Sequence, residues 1–229
     1  MTEGKEQLHF TDIFKKFSRL QQGRLSSSEN EAHPPSDIFL QQLLSRYQTP
    51  GEVAILQQAL SDPYFPLAMV TQTLFADVTG MRFYINKRRP DLEPVLAKEL
   101  LEWTEIFHRI RLDIRAFFDA KTITCIPFDG KRHPLPSGNW CTLCGVCCQI
   151  GGVPPDPPPG ITYPDHWHAF LAGKTVENQQ LCPFLCQYFG EPMFFCGIHN
   201  IKPMACRRFD KKDCQQRLAD RDLHFNKHS

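Results

Sequence analysis

No cysteine precedes Cys125 in this 229-residue chain, although the chain contains ten of them. No stretch approaches the roughly 20 consecutive apolar residues that span a bilayer. The opening MTEGKEQLHFTDIFKKF holds neither an apolar run of signal-peptide length nor a small-residue cleavage site. Excess charge is missing too: 26 Lys and Arg against 25 Asp and Glu leave +1, which gives no reason to expect nucleic acid or an acidic membrane as partner. There is no glycine-rich nucleotide loop followed by an acidic residue after a strand, and no Ser–His–Asp or paired-carboxylate arrangement stands out. Together these absences predict a soluble cytoplasmic protein with no transmembrane segment, in whose reducing surroundings the thiols stay free of disulfides.

What is present suits a globular chain. The hydrophobic share is 41% and the charged share 22%, enough to bury a core of one domain or one and a half. Phe10, Ile13, Phe14, Phe17 and Leu20 recur at helical spacing beside Lys15, Lys16 and Arg19. They predict a basic amphipathic helix that either packs on its own protein or docks on a partner or membrane. Gly23 to Pro35 reads as a flexible linker, so residues 1–35 form a first segment.

Residues 36–120 read as helical. Ser36 can cap a helix through Ile38, Leu40, Leu43, Leu44 and Tyr47. Thr49-Pro50-Gly51-Glu52 has the form of a capping box with proline at the first helical position, opening a helix to about Leu60 that Asp62-Pro63 ends. A third apolar segment, Pro66 to Val78, stops at Gly80. From about Asp91 to Ala120, Leu96, Leu100, Trp103, Phe107, Ile110, Ile114 and Phe117 form a seam along one helix face. That seam suits a small helical bundle, with dimerisation as the minority reading. Lys87-Arg88-Arg89 before it reads as a solvated loop.

Past residue 120 the periodicity fades. Gln149 to Pro164 contains six prolines and three glycines and must be an extended loop. Short helices fit only near Asp165 to Leu171 and from Asp213 to about Leu223. So irregular a segment should bury little apolar surface by itself, and cross-linking by metal would meet that need. The fold class expected is mainly α: a bundle-like helical half, then an irregular, metal-stabilised cysteine-cluster domain with short helices over 121–229.

Nine of the cysteines lie between Cys141 and Cys214. Cys141-Thr-Leu-Cys144-Gly-Val-Cys147-Cys148 holds two overlapping C-x₂-C pairs, a spacing that turns two thiolates onto one ion. Gly145 would assist by accepting a positive φ. In an extended chain, Cys147 and Cys148 would point to opposite sides and serve different centres, or leave one thiol spare. Cys182-Pro183, Cys186, Cys196, Cys206 and Cys214 form the second set. Eight ligands (Cys141, Cys144, Cys147, Cys148, Cys182, Cys196, Cys206 and Cys214) can supply two tetrathiolate zinc sites. They can equally supply a [4Fe–4S] cluster held by Cys141, Cys144, Cys147 and a remote fourth cysteine such as Cys182, so one or two centres of zinc or iron remain open. From Ile201 onward, eight Lys or Arg against four Asp give +4, and Arg207 and Arg208 beside Cys206 can offset thiolate charge. His199 is a candidate ligand or donor to sulfur, and Cys186 a reserve ligand. Cys125, inside the apolar TITCIPF, reads as core, and His166 and His168 as packing or surface residues.

Cys141-x₂-Cys144-x₂-Cys147-Cys148, then Cys182-Pro183-Phe184-Leu185, Cys196-Gly197-Ile198-His199 and Lys202-Pro203-Met204-Ala205-Cys206-Arg207-Arg208-Phe209 resemble the CxxCxxCC cysteine-cluster family (YkgJ-type) over about residues 138–214. That family's pattern has tyrosine where His199 stands, arginine at Lys202 and proline at Asp210. The resemblance implies zinc or iron chelation. Some members are labelled Fe–S oxidoreductases, and flagellin lysine methylases carry a similar cluster in longer chains. Three functional expectations follow. The first is a metal-binding module whose centre stabilises the C-terminal half. The second is an Fe–S-dependent redox or modification enzyme working near Cys148, Cys186 or Arg207. The third is a protein that recruits a partner through its N-terminal helices.

Overall fold

Thr49 sits in extended backbone and accepts from the Glu52 N–H at 3.2 Å, while the Glu52 carboxylate accepts from the Thr49 N–H at 3.2 Å. Both halves of the capping box therefore form, with Pro50 in the first turn where its missing N–H costs nothing. In the computed structural model, which describes residues 9–27, 36–85, 92–119, 123–135, 141–176 and 179–226, the chain is mainly helical. The helices are α1 (Phe10–Ser26), α2 (Ser36–Leu44), α3 (Pro50–Ser61), α4 (Leu67–Ile85), α5 (Glu93–Phe117), α6 (Asp165–Leu171), α7 (Met204–Arg207) and α8 (Lys211–Asn226). A two-stranded antiparallel hairpin, β1 (Leu185–Gln187) and β2 (Phe194–Cys196), lies among them. Residues 28–35 of the expected linker and the Lys87-Arg88-Arg89 loop lie outside the described residues.

The chain divides into two compact units, Met1–His108 with Phe189–Glu191, and Arg109–Tyr188 with Pro192–Ser229. In the first, α1 packs on α2 and α4, burying Phe10, Ile13, Phe14 and Phe17. The apolar face of α1 is thus used within its own unit, and Lys15 and Lys16 lie over the rings of Phe75 and Phe39. His9 offers the helix no side-chain cap; the Glu93 carboxylate instead accepts from the Phe10 N–H at 2.7 Å. Two helices run further than their glycines suggest. α1 continues through Gly23 to Ser26, and α4 through Gly80 to Ile85. A helical glycine costs only about 1 kcal/mol, which tertiary burial readily offsets.

The α5 seam is buried at Leu96, Leu100, Trp103, Phe107, Ile110 and Ile114. Phe117, expected to complete it, is 64% exposed, because α5 ends there and has no further turn to pack it. The second unit begins with the last turns of α5 and is centred on Trp167, which is fully buried. Phe118 stacks on Trp167, Tyr163 tilts against it, and Phe184 meets it edge-on at 4.7 Å. The indole N–H donates to Asp113 Oδ2 at 2.9 Å, and His166 Nε2 donates to the same oxygen at 2.6 Å.

The proline-rich loop is pinned to this core. The Val153 N–H donates to the Leu171 carbonyl, and a Cβ on Gly173 would meet the Gly151 carbonyl oxygen at 1.8 Å. Only glycine fits there, at a φ of +70°. Ile123, Ile126, Val146, Leu181, Phe194, Phe195 and Ile198 are buried as well. The expectation that this half buries little apolar surface is therefore corrected: aromatic side chains spaced too irregularly to read as periodic converge on Trp167.

Candidate metal centre

Leu143 and Gly145 both take the left-handed backbone conformation, at φ 56° and 73°. Together they fold the Cys141–Cys148 segment back on itself. Cys144 forms an isolated parallel bridge with Phe194, whose N–H donates to the Leu143 carbonyl at 2.6 Å. This ties the first cysteine set to the hairpin that ends at Cys196. The Cys182 N–H donates to the Cys148 carbonyl at 2.7 Å and so joins the two sets again.

Val146–Cys148 is a 3₁₀ turn, not extended chain. Successive side chains in such a turn are rotated by about 120° instead of alternating. The expectation that Cys147 and Cys148 diverge is therefore corrected: their sulfurs lie 3.9 Å apart. Cys148 also lies within electrostatic reach of Cys182, and Cys214 within reach of Cys144, Cys147 and Cys141. Cys214 reaches this position because α8 packs on the 3₁₀ turn. Cys206 lies within electrostatic reach of Cys182 and Cys147, and Cys196 within reach of Cys182, Cys186 and Cys206. Each of the eight expected ligands thus lies in the second unit, within electrostatic reach of at least one other. Among the described residues, no three His, Cys, Asp or Glu side chains yet form a group that could hold a metal ion. Cys147 and Cys148 form a hydrogen-bonded pair.

These pairings set the protonation. The Cys147 thiol is lowered to about 7, chiefly by the hydrogen bond it shares with Cys148, with Lys202 and Arg217 adding to it. Cys148 is pushed well up by the same bond and by Cys182. Cys182 is lowered by Cys148, while burial raises Cys196, Cys214 and Cys206, the last to about 11. Cys147 and Cys141 are exposed; Cys186 and Cys214 are buried.

The remaining candidates divide. Cys186 donates to the Phe184 carbonyl at 3.8 Å from inside β1, as a core thiol does. Cys125 is only half-buried and within reach of Cys141, unlike its buried neighbours Ile123, Thr124 and Ile126. His199 is exposed at the start of a 3₁₀ turn, and partial desolvation of its ring, with Lys202 and Arg207 nearby, lowers its basicity. Arg207 bonds the carbonyls of Asn200 and Lys202. The cations acting on the Cys147 thiol are Lys202 and Arg217. Tyr163 escaped the sequence reading altogether. Its hydroxyl donates to the Ile201 carbonyl at 2.5 Å, and burial together with Cys196 and Cys206 holds its proton firmly.

No protein-family model, curated protein or solved structure matches the chain.

Proposed function

We propose that this is a metal-binding cysteine-cluster protein whose thiolates take a divalent, thiophilic ion, zinc first among them. The carrying observation is the 3.9 Å separation of the Cys147 and Cys148 sulfurs. Four sulfurs about 2.3 Å from a zinc ion stand about 3.8 Å apart along each tetrahedral edge. In a cubane iron–sulfur cluster each cysteine holds a different iron, so ligand sulfurs stand further apart than one tetrahedral edge. The donor set fits a soft ion: Cys147 and Cys148 share a hydrogen bond, Cys182 lies within electrostatic reach of Cys148, and Lys202 and Arg217 lie close enough to temper the thiolate charge. The metal would hold the cysteine-bearing loops in place, and each bound thiol would release its proton to solvent. The CxxCxxCC resemblance agrees with this reading.

Among the described residues, no helix is long and apolar enough to cross a membrane. The test is anaerobic purification with metal analysis and an absorption spectrum. The expected product is colourless and carries zinc at whole-number stoichiometry. A brown protein with iron and acid-labile sulfide would overturn the zinc reading. A protein that retains no metal and takes up none on reconstitution would overturn metal binding itself.

A further inference from the structure

Structural zinc asks for four ligands in a closed site, whereas a trivalent metalloid asks for only two thiols. Two is what the 3₁₀ turn after Gly145 presents, with the Cys147 and Cys148 sulfurs 3.9 Å apart. The main chain of this pair is fixed on both sides. Gly145 enters the turn at φ 73°, and its carbonyl accepts from the Cys148 N–H at 2.9 Å. The Gln149 N–H donates to the Val146 carbonyl at 3.2 Å, and Val146 is only 4% exposed. The Cys182 N–H donates to the Cys148 carbonyl at 2.7 Å. Both thiols remain accessible on this fixed frame: Cys147 is exposed and Cys148 half-buried.

So held, the pair is poorly placed to close on itself. Adjacent Cα atoms stand about 3.8 Å apart across a trans peptide, short of the roughly 4.4–6.8 Å that disulfides take. The sulfurs would also have to approach to about 2.05 Å. A bridging atom asks much less. Two bonds to sulfur of about 2.3 Å, meeting at about a right angle, hold their sulfurs about 3.3 Å apart. The remaining approach of about 0.6 Å takes about 20° of side-chain rotation, inside the ~30° spread of a rotamer.

From this geometry we propose that Cys147 and Cys148 form a two-thiol site for a trivalent arsenical carrying two exchangeable hydroxyls. Each As–O bond is replaced by an As–S bond, and each thiol proton leaves with its hydroxyl as water. Arsenic stays trivalent, so the step needs no oxidant or reductant. Once one sulfur is bound the other is already within reach, and the two together bind about 10²–10⁴-fold more tightly than one. The site shares its sulfur pair with the zinc reading above and needs none of that reading's further ligands.

Hydrated phenylarsine oxide is the probe, added at one equivalent to the reduced, anaerobic full chain. It should consume two thiols per arsenic. Tandem mass spectrometry of an acid-quenched peptic digest should place the arsenic across Cys147 and Cys148. Cys147→Ser and Cys148→Ser should each weaken binding about a hundredfold.

Arsenic bridging Cys141 to Cys144, or Cys148 to Cys182, would overturn the proposal, as would undiminished affinity in either variant. Zinc retained by a chain that fails this test leaves the zinc reading standing. Arsenic captured at Cys147 and Cys148 by a chain that takes up no zinc removes the zinc reading alone. The mapping on the unsubstituted chain depends on no variant folding.

Discussion

Replacing Asp113 tests whether a buried carboxylate organises the second unit. The residue is 3% exposed, and one of its oxygens accepts from both His166 Nε2 at 2.6 Å and Trp167 Nε1 at 2.9 Å. Its other oxygen lies 3.2 Å from Arg109 Nε. In Asp113→Ala the fully buried indole N–H loses its acceptor, which costs about 1–3 kcal/mol. The charge-assisted bond from His166 is lost as well. That ring is about a third exposed, so water restores part of its solvation and the loss is about 1 kcal/mol. The Arg109 side chain is 60% exposed, so its pairing adds well under about 1 kcal/mol.

The sum is about 3 kcal/mol, or roughly 6–12 °C in melting temperature for a chain of this size. Asp113→Asn keeps an acceptor for the indole and should lose roughly half as much. Urea denaturation followed by tryptophan fluorescence and by circular dichroism reads both variants against the unsubstituted chain. Trp167 also packs on Phe184, two residues from Cys182, so zinc affinity should weaken in the same order. An Asp113→Ala protein as stable as the parent, with an unchanged denaturant slope, would refute the argument.

Phe17→Ala removes a ring only 1% exposed and should cost about 3–5 kcal/mol, whereas Phe117→Ala, at a site 64% exposed, should stay within about 0.5 kcal/mol. Denaturation midpoints compare the two. Gly173→Ala should destabilise by more than about 2 kcal/mol, because its Cβ runs into the Gly151 carbonyl. Gly130→Ala has a similar φ but open space around it and should cost only about 1–2 kcal/mol, so equal losses would show that contact does not matter. Zinc affinity, measured by competition with a chromophoric chelator, should fall with every step down in pH, because protons compete for thiols that burial and thiol–thiol bonds hold protonated. A flat profile between pH 8 and 6 would contradict thiolate ligation. Removing zinc should raise hydrogen exchange in Cys141–Cys148 and around Cys206 while leaving Trp167 and its neighbours protected; global unfolding on chelation would show that the aromatic core cannot stand alone.

Helix positions were legible where one residue type has one strong physical preference. Thr49-Pro50-Gly51-Glu52 specifies its own cap, and the 3–4 spacing from Leu96 to Ile114 specifies a buried face. Gly145 likewise takes the positive φ its place between cysteines suggests. Gly23 and Gly80 misled, since a glycine's backbone cost is small beside what neighbouring apolar residues gain by staying helical. The β1–β2 hairpin left no trace in the pattern because all three residues of β1 are buried, so the alternation that marks a half-buried strand is missing. Leu143 gave no hint of its left-handed backbone. Nor could sequence join Asp113 to Trp167, 54 positions away, or show that the second unit begins at Arg109 inside a continuous helix.

The cysteines were the most visible feature and the least determined by local pattern. Spacing alone pairs Cys141 with Cys144 and Cys144 with Cys147. The structure also brings Cys144 within electrostatic reach of Cys214 and ties Cys148 to Cys182 through the backbone, partners 70 and 34 positions on. A C-x₂-C pair brings its two sulfurs close by a short turn, at little entropic cost. Long-range pairs close much larger loops, and each doubling of loop length costs about 0.6 kcal/mol more. Here the core of Trp167, Phe184 and Tyr163 and the Cys144–Phe194 bridge have already met that cost before any ion binds. On the metal-binding reading proposed above, an ion arriving at such a site would have to rotate side chains, not fold a chain. Its binding free energy would then go into affinity and into choosing the metal, and the metal-free second unit would keep a core to which the thiols return.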